Sequence, residues 1–349
     1  MFEKLFIALL LFVPAAIAAP YLGLSATVSF FLAAIAIIPL AKYIGDATEE
    51  LATHTNPALG GLLNATFGNA TELIIGIFAL RAGLIEVVKA SITGSIIGNI
   101  LFVLGTAMLV GGAKREKQTF NRTGALAGSS TLFLGVIALV MPAIFLQTEP
   151  EVGGRIIGSL SVLVSVALIL MYIASLLFSL HTHKHLYVEE IPSEGPRWGL
   201  GRSLLTLLLA TVTVGFVSDA LVGSIEPLIA SFGWTQLFIG VIVIAIVGNA
   251  AEHASAVAVA RKNRMDLALQ ITVGSATQIT MLIAPVLVLA SFLLSHHMDL
   301  VFNTFELISI VLSVVIVNMV VADGESNWLE GAQLLAAYAI MAVAFFFHP

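Results

Sequence analysis

Two short polar strings interrupt strongly apolar stretches of this 349-residue chain. They read GNATE (68–72) and GNAAE (248–252), and each sets one glutamate among aliphatic residues. A charged side chain at the centre of a membrane helix costs about 2.5–3.5 kcal/mol on insertion scales, and a glutamate should be of similar order. Because this cost recurs in one pentapeptide frame, the two carboxylates indicate a path for cations or protons.

Each string offers a carboxylate and an amide oxygen together. Residues three apart share a helix face, so Asn69 lies beside Glu72 and Asn249 beside Glu252. Such oxygens suit a hard cation such as Ca²⁺. The preceding glycines allow close helix approach or a break that exposes backbone carbonyls. The alternative is that these amides only join helices and the glycines only ease packing.

Further polar residues could complete the shell. His253 could tune the adjacent carboxylate or shuttle protons, although a buried, hydrogen-bonded histidine is equally compatible. The alternating His181, His183 and His185 do not share a helix face, which argues against a transition-metal site. The remaining candidates lie about one helix after each motif: Ser95, Gly98 and Asn99, and Ser275, Thr277 and Gln278.

Composition places the chain in a membrane. Hydrophobic residues make up 59% and charged residues 10% of the sequence, far below the charge of a soluble domain. Without cysteine, disulfides and thiolate metal sites are excluded. The few basic residues form short loop clusters, so we expect the lipid bilayer and no nucleic acid as partner. The oligomeric state stays open, a homo-oligomer included.

The apolar stretches predict an all-α integral membrane protein with about eleven transmembrane helices. The first resembles a signal peptide, but Glu3 offsets Lys4, so we expect a retained helix. The predicted helices lie near 4–20, 25–45, 60–80, 88–111, 124–146, 155–180, 202–222, 235–260, 266–294, 301–321 and 328–347.

Basic residues predict the orientation. With the N-terminus inside, eleven of the 15 Lys and Arg fall in cytoplasmic loops or ends and three fall outside. We therefore expect a multi-pass protein of the cell membrane with a cytoplasmic N-terminus and an external C-terminus.

The spacing of the motifs predicts an inverted repeat. The glutamates lie 252 − 72 = 180 residues, or five spans, apart, so the two copies cross the membrane in opposite directions. ITGSIIGN (92–99) is echoed by ITVGSATQ (271–278). The predicted organisation is a leading helix (1–22), a first five-helix repeat (23–181), a cytoplasmic linker (182–201) and a second five-helix repeat (202–349).

GNATELI (68–74) and GNAAEHA (248–254) resemble the paired signature motifs of the Ca²⁺/cation–proton exchanger (CAX) family of the Ca²⁺/cation antiporter superfamily. The resemblance covers nearly the whole chain and implies one leading helix before two inverted repeats. It implies that Glu72 and Glu252 are the central cation- and proton-binding acids. Supporting positions implied by it are Asn69, Asn249, His253, Ser95, Ser275 and Gln278. The family usually has a strongly acidic helix between its halves, which this linker lacks, so a regulatory role of the linker is in doubt.

The expected function is exchange of cytoplasmic Ca²⁺, or another divalent cation, for external protons by alternating access. No cofactor is expected, since Ca²⁺ and H⁺ are the transported ions, and no enzymatic activity is expected. A sodium-coupled exchanger of the same superfamily is the alternative, although its Ser-Pro-Glu-type motif is missing. A passive cation channel and a membrane-embedded metalloenzyme are weaker alternatives, and the zinc-binding HExxH spacing is absent.

Overall fold

A computed structural model describes residues 2–55, 57–151, 153–183 and 196–348. These residues are almost entirely helical, and we label the helical segments in chain order. They are α1 (Phe2–Leu9 and Phe12–Ala18), α2 (Ala26–Thr53), α3 (Pro57–Phe67 and Ala70–Arg81), α4 (Ile85–Gly112), α5 (Arg122–Thr148), α6 (Gly154–Thr182), α7 (Leu200–Phe232), α8 (Gln236–Gly248 and Ala250–Arg261), α9 (Met265–Ser291), α10 (Thr304–Val320) and α11 (Trp328–Phe347).

Several segments contain local departures from the α-helix. Within the described residues, the backbone hydrogen-bond pattern widens to that of a π-helix in four places, and α7 is interrupted at Ser224. The π-helical stretches are Gly98–Val103 in α4, Phe178–Thr182 in α6, Ile239–Ile244 in α8 and Ile279–Ile283 in α9. Two short strands, β1 (Gln118–Thr119) and β2 (Glu325–Ser326), pair antiparallel and tie the α4–α5 loop to the α10–α11 loop.

The lengths of the helices identify a multi-pass membrane protein. Among the described residues, seven segments are long and apolar enough to span a bilayer alone: α2, α4, α5, α6, α7, α9 and α11. The two halves of α8, bent by 61°, supply an eighth if they form one crossing. Segments α1 and α10 are apolar but shorter. The all-helical membrane class is therefore confirmed, while eleven crossings stay a prediction.

The centre of the bundle is formed by α4 and α9. In their most apolar windows 83% and 67% of residues are buried within the protein, against 22% in α6. Because other helices surround these two segments, their polar side chains can be buried within the protein and kept out of contact with lipid. The serines of the predicted site lie on them.

One helix contact is unusually close. A Cβ atom on Gly94 would overlap the carbonyl oxygen of Val241, so the backbones of α4 and α8 touch at this glycine. Gly274 holds the matching place in α9, since 94 + 180 = 274. A Cβ atom on Gly274 would meet nothing within 4 Å. Gly94 and Gly274 therefore have different neighbours, although they match in the sequence.

Segments α2 and α7 also pack against each other extensively. At its end, the buried carboxylate of Glu50 accepts hydrogen bonds from the backbone nitrogens of Arg197 (2.9 Å) and Trp198 (3.0 Å). It also accepts one from Nε of Arg197 at 3.1 Å. Glu50 therefore fixes the segment that leads into α7 onto the end of α2.

Candidate cation site

Both motifs lie where a helix breaks. Segment α3 is interrupted at Gly68 and Asn69, and α8 is interrupted at Asn249. Asn69 (φ −105°, ψ 25°) and Asn249 (φ −93°, ψ 7°) depart from helical geometry in the same way. Each break starts a new helix, so the interior of the membrane protein contains two additional helix N-termini.

Each glutamate occupies the first turn of such a half-helix. Glu72 lies in the first turn of Ala70–Arg81, and Glu252 lies in the first turn of Ala250–Arg261. The unpaired N–H groups and the dipole at a helix N-terminus favour negative charge there, typically by about 0.3–1 kcal/mol. The breaks therefore offset part of the cost of keeping two carboxylates away from bulk water.

The two breaks converge. A Cβ atom on Gly248 would lie 3.0 Å from Oε1 of Glu72, so the second motif's backbone passes directly by the first motif's carboxylate. The Glu72 carboxylate is also close enough to Glu252 to be repelled by its charge. Gly248 is thus a position where any side chain would compete with the carboxylate for space.

A buried network of amides and hydroxyls joins the two halves. Nδ2 of Asn249 donates to Oγ of Ser95 at 3.0 Å, and Oγ of Ser275 donates to Oδ1 of Asn69 at 3.4 Å. Each motif asparagine therefore pairs with the serine of the opposite half. All four side chains are at most 4% exposed. The predicted residues Asn69, Asn249, Ser95 and Ser275 are brought together.

Gln278 and Asn99 complete this network in equivalent roles. Nδ2 of Asn69 donates to Oε1 of Gln278 at 2.5 Å. On the other side, Nδ2 of Asn99 lies 3.4 Å from Oδ1 of Asn249 and donates to Oγ of Ser275 at 3.0 Å. Asn99 was considered a shell candidate from the sequence but left out of the implied site residues. In the structure it contacts both a motif asparagine and the facing serine.

Asn99 and Gln278 both lie near the start of a π-helical turn, although the motif spacing does not align them. When the two halves are aligned by the 180-residue spacing of the motifs, Gln278 corresponds to Gly98, and Asn99 lies one residue after that position. The π-helix of α4 starts at Gly98, whereas that of α9 starts at Ile279. An extra residue in a helical turn rotates the residues beyond it about the helix axis, and such bulges recur at functional sites. The sequence signal was the string ITGSIIGN, which ends in Asn99.

The hydrogen bonding of the two glutamates is incomplete. Oε2 of Glu252 is buried and has no hydrogen-bond partner among the described residues. Buried polar atoms normally have a partner, and a carboxylate oxygen without one calls for a proton or a cation. Two carboxylates and a surround of neutral oxygens therefore fit an ion that binds and leaves.

The structure places His253 next to this network rather than in it. Its ring faces that of Phe102 edge-on, with centroids 6.1 Å apart, while its backbone nitrogen donates to the carbonyl oxygen of Asn249 at 3.0 Å. Its predicted membership of the cation site stays a prediction. Thr277 donates to the carbonyl of Val273 at 2.8 Å instead of to the network.

The histidine series in the linker is only partly within the described residues. His183 stacks on Phe178 with ring centroids 4.1 Å apart, whereas His185 lies outside the described ranges. Across residues 2–55, 57–151, 153–183 and 196–348, no group of three or more His, Asp or Glu side chains could hold a metal ion.

Comparisons with known proteins agree with this arrangement. Residues 25–181 and 202–347 match the family described as sodium/calcium exchanger protein. A "Ca(2+)/H(+) antiporter" of Synechocystis is 48% identical, with 99% of this chain and 98% of that protein covered. The "Ca(2+)/H(+) antiporter ChaA" of Bacillus subtilis is 44% identical over 96% of both chains. The solved structure of native YfkE has 42% identity and a TM-score of 0.87, covering 98% of this chain and all of that one.

The family match covers most of the chain, and the two relatives span it almost end to end at well over 30% identity. The paired GNATE and GNAAE motifs occupy the mirrored helix breaks at its centre. The chain therefore belongs to the sodium/calcium exchanger family and, within it, to the CAX family.

Proposed function

We propose that this protein exchanges cytoplasmic Ca²⁺ for external protons, with Glu72 and Glu252 as the shared binding groups. The observation that carries the proposal is the pair of carboxylates in mirrored helix breaks, one with a buried oxygen that no described residue satisfies. Support comes from the Synechocystis and Bacillus subtilis relatives, both named Ca²⁺/H⁺ antiporters.

The chemistry of exchange follows from charge. Two neighbouring carboxylates in a poorly solvated site repel each other, and one divalent cation or two protons relieves that repulsion. Cation and proton compete for the same oxygens, so binding of one releases the other. If the doubly charged empty site does not rearrange across the membrane, only loaded forms cross and transport is obligatory exchange.

The neutral network supplies the remaining ligands. Amide and hydroxyl oxygens are accepted by Ca²⁺, which takes six to eight oxygen ligands in flexible geometry. Asn69, Asn249, Ser95, Ser275, Gln278 and Asn99 surround the carboxylates with such oxygens. Other divalent cations that prefer oxygen share this chemistry, and His253 stays a supporting candidate.

The transmembrane arrangement is part of the proposal. We assign a leading helix (1–22), inverted five-helix repeats (23–181 and 202–349) and a cytoplasmic linker (182–201), giving eleven crossings. The separate family matches to 25–181 and 202–347 support the two repeats, as do the mirrored breaks. The excess of basic residues on one side supports a cytoplasmic N-terminus and an external C-terminus in the cell membrane.

Calcium flux driven by a pH gradient tests this function. Inside-out vesicles with an acid interior should take up radiolabelled Ca²⁺ in sodium-free medium, and an uncoupler should abolish the uptake. Glu72→Gln and Glu252→Gln should each reduce uptake to background, while Glu149→Gln, at an exposed carboxylate, should not. Full proton-driven flux in a correctly inserted Glu72→Gln or Glu252→Gln protein would disprove the assignment.

The same assay decides between coupling ions. The family that matches includes sodium/calcium exchangers, so sodium coupling is the second candidate. Uptake that needs a sodium gradient and ignores pH would establish it. Uptake that follows neither gradient but runs passively down the Ca²⁺ gradient would indicate a channel.

A further inference from the structure

A cavity of about 340 Å³ lies between α5, α6 and α9, outside the pair of carboxylates. At roughly 30 Å³ per molecule of liquid water, it has room for on the order of ten waters. Its lining becomes more buried inward, from exposed Asn121 and Gln270 to Tyr172, which is 4% exposed. It therefore leads from a surface of the protein toward the core.

The cavity ends at the candidate cation site. Gln278 borders it and also accepts the hydrogen bond from Asn69. Tyr172 lines the same end, and its buried hydroxyl lies beside Gln278 at the edge of hydrogen-bonding geometry. A buried hydroxyl at the wall of a cavity of this size, with other hydroxyl and amide groups along it, can complete its hydrogen bonds with water.

The mouth of the cavity lies on the basic face of the protein. Asn121 directly precedes Arg122, and Asp266 lies two residues after Arg264. The backbone nitrogen of Asn121 donates to Oδ1 of Asp266 at 2.5 Å, which joins α5 to α9 at this mouth. In the proposed orientation this face is cytoplasmic.

The lining suits protons better than a divalent cation. Asp266, at the mouth, is the one carboxylate among the described lining residues, and its Oδ1 is already engaged. Deeper positions offer hydroxyls and amides, such as Thr131, Ser175 and Gln278. A divalent cation in a poorly solvated passage needs compensating charge, whereas protons pass along water and hydroxyl groups by exchange of hydrogen bonds.

We propose that this cavity is a water-filled branch that carries protons, and not the divalent cation, between the cytoplasmic face and the central site, with Tyr172 and Gln278 at its inner end. The Tyr172 hydroxyl accepts a proton from one water as it donates its own to the next. The proposal rests on the proposed proton-coupled exchange, but the presence of water in the cavity can be tested without transport.

Thiol labelling tests for water. The chain has no cysteine, so an introduced one reacts alone. Gly274→Cys places its sulfur in the cavity without a clash, since Gly274 lines the cavity and a Cβ there meets nothing within 4 Å. Leu170→Cys is the matched control, because Leu170 is 62% exposed on α6 and lies two residues from Tyr172 without lining the cavity.

A charged, membrane-impermeant methanethiosulfonate is added to the cytoplasmic face and the mass shift is followed. We expect Gly274→Cys to react at least about tenfold faster than Leu170→Cys, because only thiolates in contact with water react. Equal, slow labelling at both positions would mean that the cavity holds lipid or is closed, and would overturn the proposal. This result does not depend on which ions the protein exchanges.

A second measurement separates protons from Ca²⁺. Tyr172→Phe removes one oxygen and keeps the ring, which packs with Leu168 and Met281. We expect the maximal rate of pH-driven Ca²⁺ uptake to fall several-fold while the KM for Ca²⁺ is unchanged. Tyr338→Phe should change neither, because the buried hydroxyl that it removes has no partner in the part of the chain that the structure describes and does not line the cavity. An unchanged rate in Tyr172→Phe, or a raised KM, would overturn the assignment to protons.

Discussion

Every neutral member of the site carries an amide or a hydroxyl, groups that both donate and accept hydrogen bonds. Ser95 accepts a hydrogen bond from Asn249, and Asn69 accepts one from Ser275 while donating to Gln278. Such groups can turn an oxygen toward a cation and take a different partner when it leaves. The network can therefore rearrange its hydrogen bonds when the two carboxylates exchange a cation for protons, and none of its own groups has to become charged.

Asn99 provides the first prediction. Replacing it by alanine should raise the KM for Ca²⁺ about tenfold, since a buried group left unpaired costs about 1–3 kcal/mol and Asn99 serves both Asn249 and Ser275. The measurement is the Ca²⁺ dependence of uptake. Asn318→Ala is the control, because Asn318 bonds Ser129 and the carbonyl of Val314 away from this network. An unchanged KM in Asn99→Ala would remove Asn99 from the site.

The sequence predicted most of this site for a definite reason. Repeated motifs named both glutamates and both asparagines, and the echo between α4 and α9 named the serines and Gln278. Asn99 is a shell candidate in the sequence but is not among the positions that the family resemblance implies. A π-helical turn begins at Gly98, directly before this residue, and no propensity of the individual residues reveals that turn.

Among the helices, the breaks at the motifs could be anticipated but their geometry could not. Glycine and asparagine permitted an interruption, whereas the 61° bend in α8 depends on packing. The close contact of α4 with α8 likewise could not be predicted from the sequence. Gly94 and Gly274 match at the 180-residue spacing of the motifs, yet of the two only Gly94 meets a neighbouring backbone. The two halves have the same residue at this position but different packing around it, because each half contacts different segments.

This inequality gives the second prediction. Gly94→Ala should destabilise the protein by about 1–3 kcal/mol, because its Cβ forces α4 away from the backbone of α8. Gly274→Ala should leave stability unchanged or slightly raised, since its Cβ meets no atom and alanine favours the helix. The loss should appear as a lower Tm in detergent. Equal Tm values for the two variants would contradict the close contact.

At the scale of the whole molecule, the third prediction concerns orientation. Single cysteines at Lys117 and Glu151 lie on opposite sides in the proposed arrangement, in the α4–α5 and α5–α6 loops. An impermeant thiol reagent added to intact cells should label Glu151→Cys and not Lys117→Cys. Permeabilised cells should show labelling of both. The reverse pattern in intact cells would place the N-terminus outside.

The number of carboxylates at the centre limits the energetics of the whole transporter. In the proposed exchange, Glu72 and Glu252 together accept two protons or one divalent cation, and among the described residues no hydrogen bond joins the ring of His253 to either carboxylate. One Ca²⁺ exchanged for two protons moves no net charge, so a membrane voltage, worth about 2.3 kcal/mol per charge per 100 mV, does no work on the cycle.

The fourth prediction follows from this balance. Uptake into proteoliposomes at fixed pH difference should be unchanged when a potassium diffusion potential of either sign is imposed. At equilibrium the Ca²⁺ ratio should equal the square of the proton ratio, about a hundredfold for one pH unit at roughly 1.4 kcal/mol per proton. Voltage-dependent uptake would require a third titrating group. A cell that relies on this protein would then keep its cytoplasmic calcium low with its pH gradient alone, even after its membrane potential has collapsed.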